Sequence, residues 1–134
     1  LNRKIKEYKL ENKIIRPGHI ETSELVAFYN LATVYIQPSL YEGFGLPLLQ
    51  SFACGTPVIS SNRGSLPEVG GKAALYFNPT DQSQALSLLG DVLQDRSLQY
   101  KLSKLGFEQV SKFSWEKTAD QTIEAYKGSL EINA

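Results

Sequence analysis

The chain has 134 residues, which is enough for one domain with a hydrophobic core, and 42% of them are apolar. Its 14 basic residues balance its 14 acidic residues, so the sequence gives no reason to expect binding to nucleic acid or to an anionic membrane surface. One cysteine and one histidine exclude an intrachain disulfide and a histidine-based metal site, and we expect a reducing compartment.

Two further features of the sequence concern its context. It contains no apolar run of about 18 residues, so no transmembrane helix is expected. It contains no methionine, and its first residues, LNRKIKEYKL, already have the pattern of a helix. We therefore expect residues 1–134 to be a single partial domain from a longer protein.

The first third of the chain predicts two helices separated by a short strand. The opening ten residues form a basic amphipathic pattern with Leu1, Ile5 and Tyr8 on its inward side. The stretch NKIIRPG is β-branched up to a Pro-Gly pair, which predicts a strand running into a turn. In ETSELVAFYNLA, Thr22 or Ser23 is the expected N-cap of a helix with one buried face. The apolar residues that define this face are Leu25, Phe28, Tyr29 and Ala32.

The middle of the chain predicts three strands that are covered on both faces. TVYIQPS, PVISS and AALYFNP are short runs of mostly apolar or β-branched residues, as in the strands of parallel sheets. Between the first two, a helix should begin at about Pro47, where a missing N–H does no harm. It should end near Cys54, with Gly55 at the C′ position and Pro57 beyond it.

The last third of the chain predicts three helices. Thr80 or Asp81 is the expected cap of the first, the second should end near Gly106 or one turn later, and Ser114 should cap the third. We expect Trp115 to pack in the core. The apolar residues that mark the three helices are Ala85, Leu88, Leu89 and Val92, then Leu98, Leu102 and Leu105, then Trp115, Ala119, Ile123, Tyr126 and Leu130.

The alternation of strands and helices predicts an α/β fold. Strands and helices alternate up to about residue 80, which is typical of parallel sheets whose connections are helical. The expected architecture is a Rossmann-like parallel sheet with helices on both faces and a helical C-terminal tail.

The turn SLYEGFGLP is the segment with the clearest chemical signal. It follows the predicted strand 33–37, at the edge where open α/β sheets bind ligands. Gly43 and Gly45 would let a ligand approach the backbone, and the next helix presents free N–H groups there, so a phosphate site is predicted. A tight turn with Phe44 in the core would also explain the glycines. Glu42 would repel phosphate unless it points elsewhere, so we expect it to accept hydrogen bonds from sugar hydroxyls.

The longer stretch PSLYEGFGLPLLQSFACGTPVISSNRGSLPEVGG resembles the signature region of the family 4 glycosyltransferases. These are retaining enzymes with the GT-B architecture of two Rossmann-like domains. GHIETSELVAFYNLATVYIQPS and ALYFNPTDQSQAL resemble the family segments before and after it, so the resemblance covers nearly the whole chain. It implies the C-terminal, donor-binding domain of such an enzyme, with the acceptor held by an N-terminal domain that this sequence lacks.

The resemblance also implies individual residue roles. Glu42 begins the family's E-x7-E motif and, as the catalytic residue, contacts donor-sugar hydroxyls near the reacting carbon. Two loops are implied in donor binding: Gly43, Phe44, Gly45 and Leu46 hold the diphosphate through backbone amides, and Gly18, His19 and Ile20 line the nucleobase pocket.

Two departures from the family pattern qualify these roles. The second acid of the motif, which binds the ribose diol, is Gln50 here. Losing a charged acceptor should weaken donor binding by about 1–3 kcal/mol. The family's basic pair, which neutralises the leaving diphosphate, would lie upstream of Leu1, and Arg3, Lys4 and Lys6 do not match it.

The sequence and the resemblance together predict a retaining hexosyltransferase domain in polysaccharide biosynthesis. It would bind a UDP-, GDP- or ADP-linked sugar for transfer to a sugar or lipid-linked acceptor, and the piece alone should be inactive. The alternative, favoured by Gln50, is an inactive nucleotide-binding or structural partner domain. No cofactor and no metal are expected, since the nucleotide sugar is a substrate and no D-x-D motif occurs. The expected location is cytoplasmic, or peripheral at the inner face of a membrane in the full-length protein.

Overall fold

The computed structural model describes residues 2–131, with side chains up to residue 129. Within these residues, three parallel strands form a sheet in the order β1 (Tyr35–Gln37), β2 (Val58–Ser61) and β3 (Ala74–Phe77). Ile59 of the central strand lies between Ile36 and Leu75 in the register. Helices connect the strands and cover both faces of the sheet, so the predicted α/β fold class is confirmed.

The described residues also form seven α-helices and one 3-10 turn. The helix after the glycine turn begins at Leu46, next to Pro47, and ends at Ala53, with Gly55 at a φ of 71° just beyond it, as predicted. The helices are α1 (Asn2–Glu7), α2 (Thr22–Leu31), α3 (Leu46–Ala53), α4 (Leu66–Gly70), α5 (Gln82–Gln94), α6 (Arg96–Val110) and α7 (Trp115–Glu131), and the 3-10 turn is Gly71–Ala73.

Most of the predicted helix ends agree with the structure. The Asp81 carboxylate accepts a hydrogen bond from the Gln84 amide at 3.0 Å, and Ser114 Oγ accepts one from the Lys117 amide at 3.1 Å. The second helix of the tail ends one turn beyond Gly106. For α2 the predicted caps were wrong, because Glu21 is the N-cap and its N–H donates to Glu24 Oε2 at 3.3 Å.

The core lies on both faces of β2. All four residues of this strand are buried, and because side chains alternate across a strand, Val58 and Ile59 face opposite sides. Val58 packs in a cluster with α3 and α4, while Ile59 packs with α5 and α6. The first cluster contains Leu48, Leu49, Phe52, Val58, Leu66, Val69, Ala73 and Ala74, and the second contains Ile59, Phe77, Val92 and Leu102.

The structure corrects several predictions for the first third of the chain. The predicted strand in NKIIRPG does not form in the described residues, and the side chains of Ile14 and Ile15 are 37% and 86% exposed. β-branched residues stabilise a strand only where a neighbouring strand accepts its hydrogen bonds, and none pairs with this stretch. Tyr8 is 61% exposed instead of inward, with Lys4 Nζ lying 5.2 Å from its ring centre.

The predicted burial was also wrong for other elements. β1 is an edge strand whose Ile36 is exposed, and in α2 only Tyr29 is buried while Phe28 is exposed. α7 forms as predicted, yet Trp115 is 77% exposed and not in the core. Ile123 and Tyr126, Ala119 and the other side chains described in this helix are exposed too.

Two predicted inward side chains, Leu1 and Leu130, lie outside the described side chains. None of the helices in the described part of the chain is both long and apolar enough to span a membrane.

Candidate functional site

The site forms where β1 ends at Gln37 and α3 begins at Leu46. Gly45, the N-cap of α3, has a φ of 107°, and a Cβ on it would lie 3.0 Å from Leu66 Cδ2. Only glycine fits this position without strain. A Cβ on Gly43 would meet no atom within 4 Å, so the space beside this residue is open.

The turn presents a run of unpaired backbone donors. Among the described residues, no acceptor is present for the N–H groups of Gly43, Phe44, Gly45 and Leu46. They lie at the N-terminus of α3, where the helix dipole is positive. Such a group of amides is suited to bind an anion, and a diphosphate offers several acceptor oxygens to it.

The loop after β2 holds these donors in place. The Ser65 hydroxyl shares its one hydrogen between the carbonyl oxygens of Phe44, at 2.8 Å, and Glu42, at 3.2 Å. In a trans peptide the carbonyl and the following N–H point in opposite directions, so the N–H groups of Gly43 and Gly45 point away from Ser65. Gly64 allows this close approach, since a Cβ on it would lie 2.9 Å from the Glu42 oxygen.

Phe44 does not fill the core. Its side chain is 46% exposed, and its ring packs edge-on against Phe113 with 6.1 Å between ring centres. The alternative in which the glycines serve only to place Phe44 in the core is therefore wrong. Leu46 and Phe44 instead border an apolar groove of about 540 Å³ between α3 and the start of α7.

Glu42 is half-buried beside the turn. Its Oε2 accepts a hydrogen bond from Gln37 Nε2 at 2.9 Å, and the same nitrogen donates to Ser39 Oγ at 2.7 Å. No ion pair to Glu42 forms within the described part of the chain. A carboxylate has about four acceptor sites, so this one retains capacity for further donors.

Gln50 lies one turn into α3, on its exposed side. Its Oε1 accepts a hydrogen bond from the hydroxyl of Tyr29 at 3.4 Å. The Tyr29 ring packs edge-on against Tyr35 at 5.5 Å, and the Tyr35 hydroxyl donates to Gln37 Oε1. A tyrosine pair thus lies between the two positions of the motif, Glu42 and Gln50.

Burial keeps both of these phenols protonated. Burial raises the pKa of Tyr35 well above its usual range, and neighbouring Tyr29 and Glu42 add to the shift. Burial also raises the pKa of Tyr29, with a smaller contribution from Cys54. Each hydroxyl is therefore a hydrogen-bond donor to its glutamine at any ordinary pH.

The predicted nucleobase loop lies between α1 and α2. Gly18 has a φ of 78° with open space around it, Ile20 is half-buried, and His19 Nε2 lies 3.5 Å from Glu21 Oε1. The side chain of His19 is 88% exposed. In the described residues no hydrogen bond joins this loop to the glycine turn, so the structure brings together residues 42–46 and Gln50 but does not connect residues 18–20 to them.

Sequence reasoning missed three of the residues that support the site. Tyr35 and Gln37 are separated by two positions in a strand, so their side chains share a face, and this signal was available. Ser65 follows the neighbouring strand, whose carboxyl end meets the same edge of the sheet. Its contact with the turn depends on the course of the loop, which no spacing in the sequence reveals.

Comparisons with known proteins identify the family of the chain. The family model described as Glycosyl transferases group 1 matches residues 1–109. The chain is 42% identical over 110 residues to the O-antigen chain mannosyltransferase B of Escherichia coli, which covers 82% of this chain and 29% of that protein. The chain therefore spans less than a third of that relative.

Two solved structures are similar to the chain. A sucrose-phosphate synthase from Thermosynechococcus elongatus matches with a TM-score of 0.87 and 31% identity, over 98% of this chain and 34% of that one. The C-terminal domain of a glycosyl transferase group 1 family protein from Francisella tularensis matches with a TM-score of 0.73 and 28% identity, over 83% of this chain and 58% of that one. The chain belongs to the group 1 family of glycosyltransferases, as the resemblance of its glycine-turn region predicted.

Proposed function

We propose that the chain is the donor-binding domain of a retaining glycosyltransferase and binds a nucleotide-diphosphate sugar at the glycine turn. The observation that carries this proposal is the set of unpaired amides from Gly43 to Leu46 at the N-terminus of α3. Fixed amides and a helix dipole stabilise the charge that develops on a leaving diphosphate. Family membership supports the same reaction class.

Different residues around the turn would bind different parts of the donor. The amides of residues 43–46 bind the diphosphate, and the Glu42 carboxylate accepts hydrogen bonds from sugar hydroxyls. Gln50 faces the ribose, and the loop at residues 18–20 borders the base. The similarity to an O-antigen chain mannosyltransferase supports a hexosyl donor and a polysaccharide acceptor. The acceptor would be held by a second domain, and no cofactor would be needed.

One observation favours a second candidate, an inactive partner domain. Gln50 replaces the expected acid, and its acceptor oxygen is already engaged by Tyr29. A domain that has lost its ribose contact would support an active subunit without binding nucleotide itself. The two candidates differ in whether the chain binds nucleotide at all.

Calorimetric titration with UDP, GDP and ADP separates these candidates. We expect the chain to bind at least one of the three nucleotides. Gly43→Ala adds a methyl group to space that the structure leaves open, so it should keep the fold and weaken binding about ten-fold or more. Gly90→Ala, in open space on α5, is the matched control and should bind as the unsubstituted chain does. A chain that binds none of the three contradicts the proposal.

Catalysis itself requires the longer protein to which this domain is proposed to belong. With a radiolabelled donor, we expect that protein to transfer the sugar and Glu42→Gln to reduce the rate. Full transfer by the Glu42→Gln variant would contradict the role of Glu42 at the donor sugar.

A further inference from the structure

The Glu42 carboxylate depends on one side chain for its position. Within the described residues, Gln37 Nε2 is the single side-chain donor to it, at 2.9 Å, and no lysine, arginine or histidine lies within ion-pair distance. A half-buried carboxylate whose one partner is a neutral amide has no positive charge paired with it and keeps most of its acceptor sites. Both properties suit a group that accepts hydrogen bonds from a neutral, hydroxyl-rich ligand.

Tyr35 fixes the orientation of the Gln37 amide. An amide can turn by half a rotation and exchange its oxygen and nitrogen, and its neighbours decide between the two orientations. The Tyr35 hydroxyl donates to Gln37 Oε1, which leaves Nε2 directed at Glu42 and Ser39. Because burial keeps the Tyr35 phenol protonated by raising its pKa, this hydroxyl remains a donor.

We infer that Gln37, oriented by Tyr35, is a positioning residue that holds the Glu42 carboxylate toward the hydroxyls of the donor sugar without neutralising it. This inference rests on the proposed function. A cation at position 37 would also hold Glu42, but it would compete with the sugar for the same oxygens. The neutral amide gives position without that competition.

The test compares the affinity for a nucleoside diphosphate with that for the corresponding nucleotide sugar, by calorimetry on this chain. The nucleotide is the one that binds among UDP, GDP and ADP, with its glucose- or mannose-linked form. Gln37→Met removes the donor to Glu42 at similar side-chain length. In Gln37→Met, the preference for the nucleotide sugar over the diphosphate should fall about five-fold or more, while the diphosphate alone binds within about two-fold of the unsubstituted chain.

Two controls separate positioning from a structural effect. Gln121→Met, on the exposed face of α7, makes the same substitution away from the site and should leave both affinities unchanged. In a chain that already carries Glu42→Gln, Gln37→Met should have no further effect on the preference for the sugar form, because Gln37 acts through Glu42. If Gln37→Met fails to fold, Tyr35→Phe, which leaves the amide free to turn, should lose part of the same preference.

The outcomes distinguish failure of this inference from failure of the proposed function. A chain that binds no nucleotide contradicts both. A Gln37→Met variant that keeps the full sugar preference overturns the positioning role alone, since donor binding then stands. Equal losses for the diphosphate and the nucleotide sugar would also overturn it, because Gln37 would then shape the turn and not the Glu42 carboxylate.

Discussion

Gly43 and Gly45 are two residues apart in the turn, but different constraints apply to them. Gly45 has a positive φ and lies against Leu66, so the fold requires a glycine at this position. Gly43 has an open neighbourhood, so the fold by itself would tolerate a methyl group there. A glycine that the fold does not require is consistent with a ligand that approaches the backbone.

The first prediction at this scale concerns stability. Gly45→Ala should lower the free energy of unfolding by about 1–3 kcal/mol, because an alanine at a φ of 107° is strained and contacts Leu66. Gly90→Ala should raise it by about 0.5–1 kcal/mol, because alanine is the better residue inside α5. Urea unfolding measures both values. Equal stability of the two variants would contradict the backbone geometry of the turn.

A second prediction concerns the departure at Gln50. Gln50→Glu restores a charged acceptor at the proposed ribose site and keeps an oxygen for the Tyr29 hydroxyl, so donor binding should tighten by about 1–3 kcal/mol. Calorimetry with the bound nucleotide checks this, and Gln121→Glu controls for the added charge. Unchanged affinity would place Gln50 away from the ribose.

The elements differ in how far the sequence determined them. The strands and most helices from Thr33 onward were predictable, because helical spacing, caps and short apolar runs are local signals. The short helix α4 (Leu66–Gly70) was not predicted. The burial of the side chains was not predictable. The pattern around Ile14 and Ile15 is typical of a strand, and that of α7 is typical of an amphipathic helix, but no neighbouring element in the described residues covers either segment. The sequence also singled out the glycine turn as the candidate site, whereas the contacts of Gln37 and Ser65 with this turn depend on side-chain and loop positions.

The contrast between α3 and α7 gives a prediction at the element scale. Phe52→Ala should lower the free energy of unfolding by about 3–5 kcal/mol, since its side chain is 1% exposed in the cluster beneath α3. Trp115→Ala should change it by less than about 0.5 kcal/mol, since this larger side chain is 77% exposed. Denaturant unfolding of the two variants measures the difference. A large loss for Trp115→Ala would show that α7 packs in the core after all.

At the scale of the whole molecule, one sheet edge collects the groups of the site. β1 and β2 are parallel neighbours, so their carboxyl ends bring the glycine turn and the Ser65 loop together. The two core clusters lie on either face of β2, and α3 belongs to one of them. The packing of the domain, and not the turn alone, therefore positions the proposed diphosphate site.

The whole fold should lose stability in alkali. Burial raises the pKa of Tyr76 from 10.0 to about 12, and its hydroxyl donates to the Gly71 carbonyl at 3.0 Å. Above pH 10 the unfolded chain releases this proton while the folded chain retains it, so the contribution is present below pH 10 and is lost as the pH rises toward 12. Urea unfolding should show a shallower decline between pH 10 and 12 for Tyr76→Phe. An identical decline in both proteins would contradict this role for Tyr76.

The most direct test of the account follows the backbone amides themselves. In the ¹⁵N-labelled chain, titration with the nucleoside diphosphate that binds in calorimetry should produce its largest amide shifts at Gly43, Phe44, Gly45 and Leu46, with smaller shifts in α5 and α7. The same titration of Gly43→Ala should need about ten-fold more nucleotide or more. If the amide signals of residues 43–46 stay unchanged while signals elsewhere in the domain shift, the open N-terminus of α3 is not the diphosphate site.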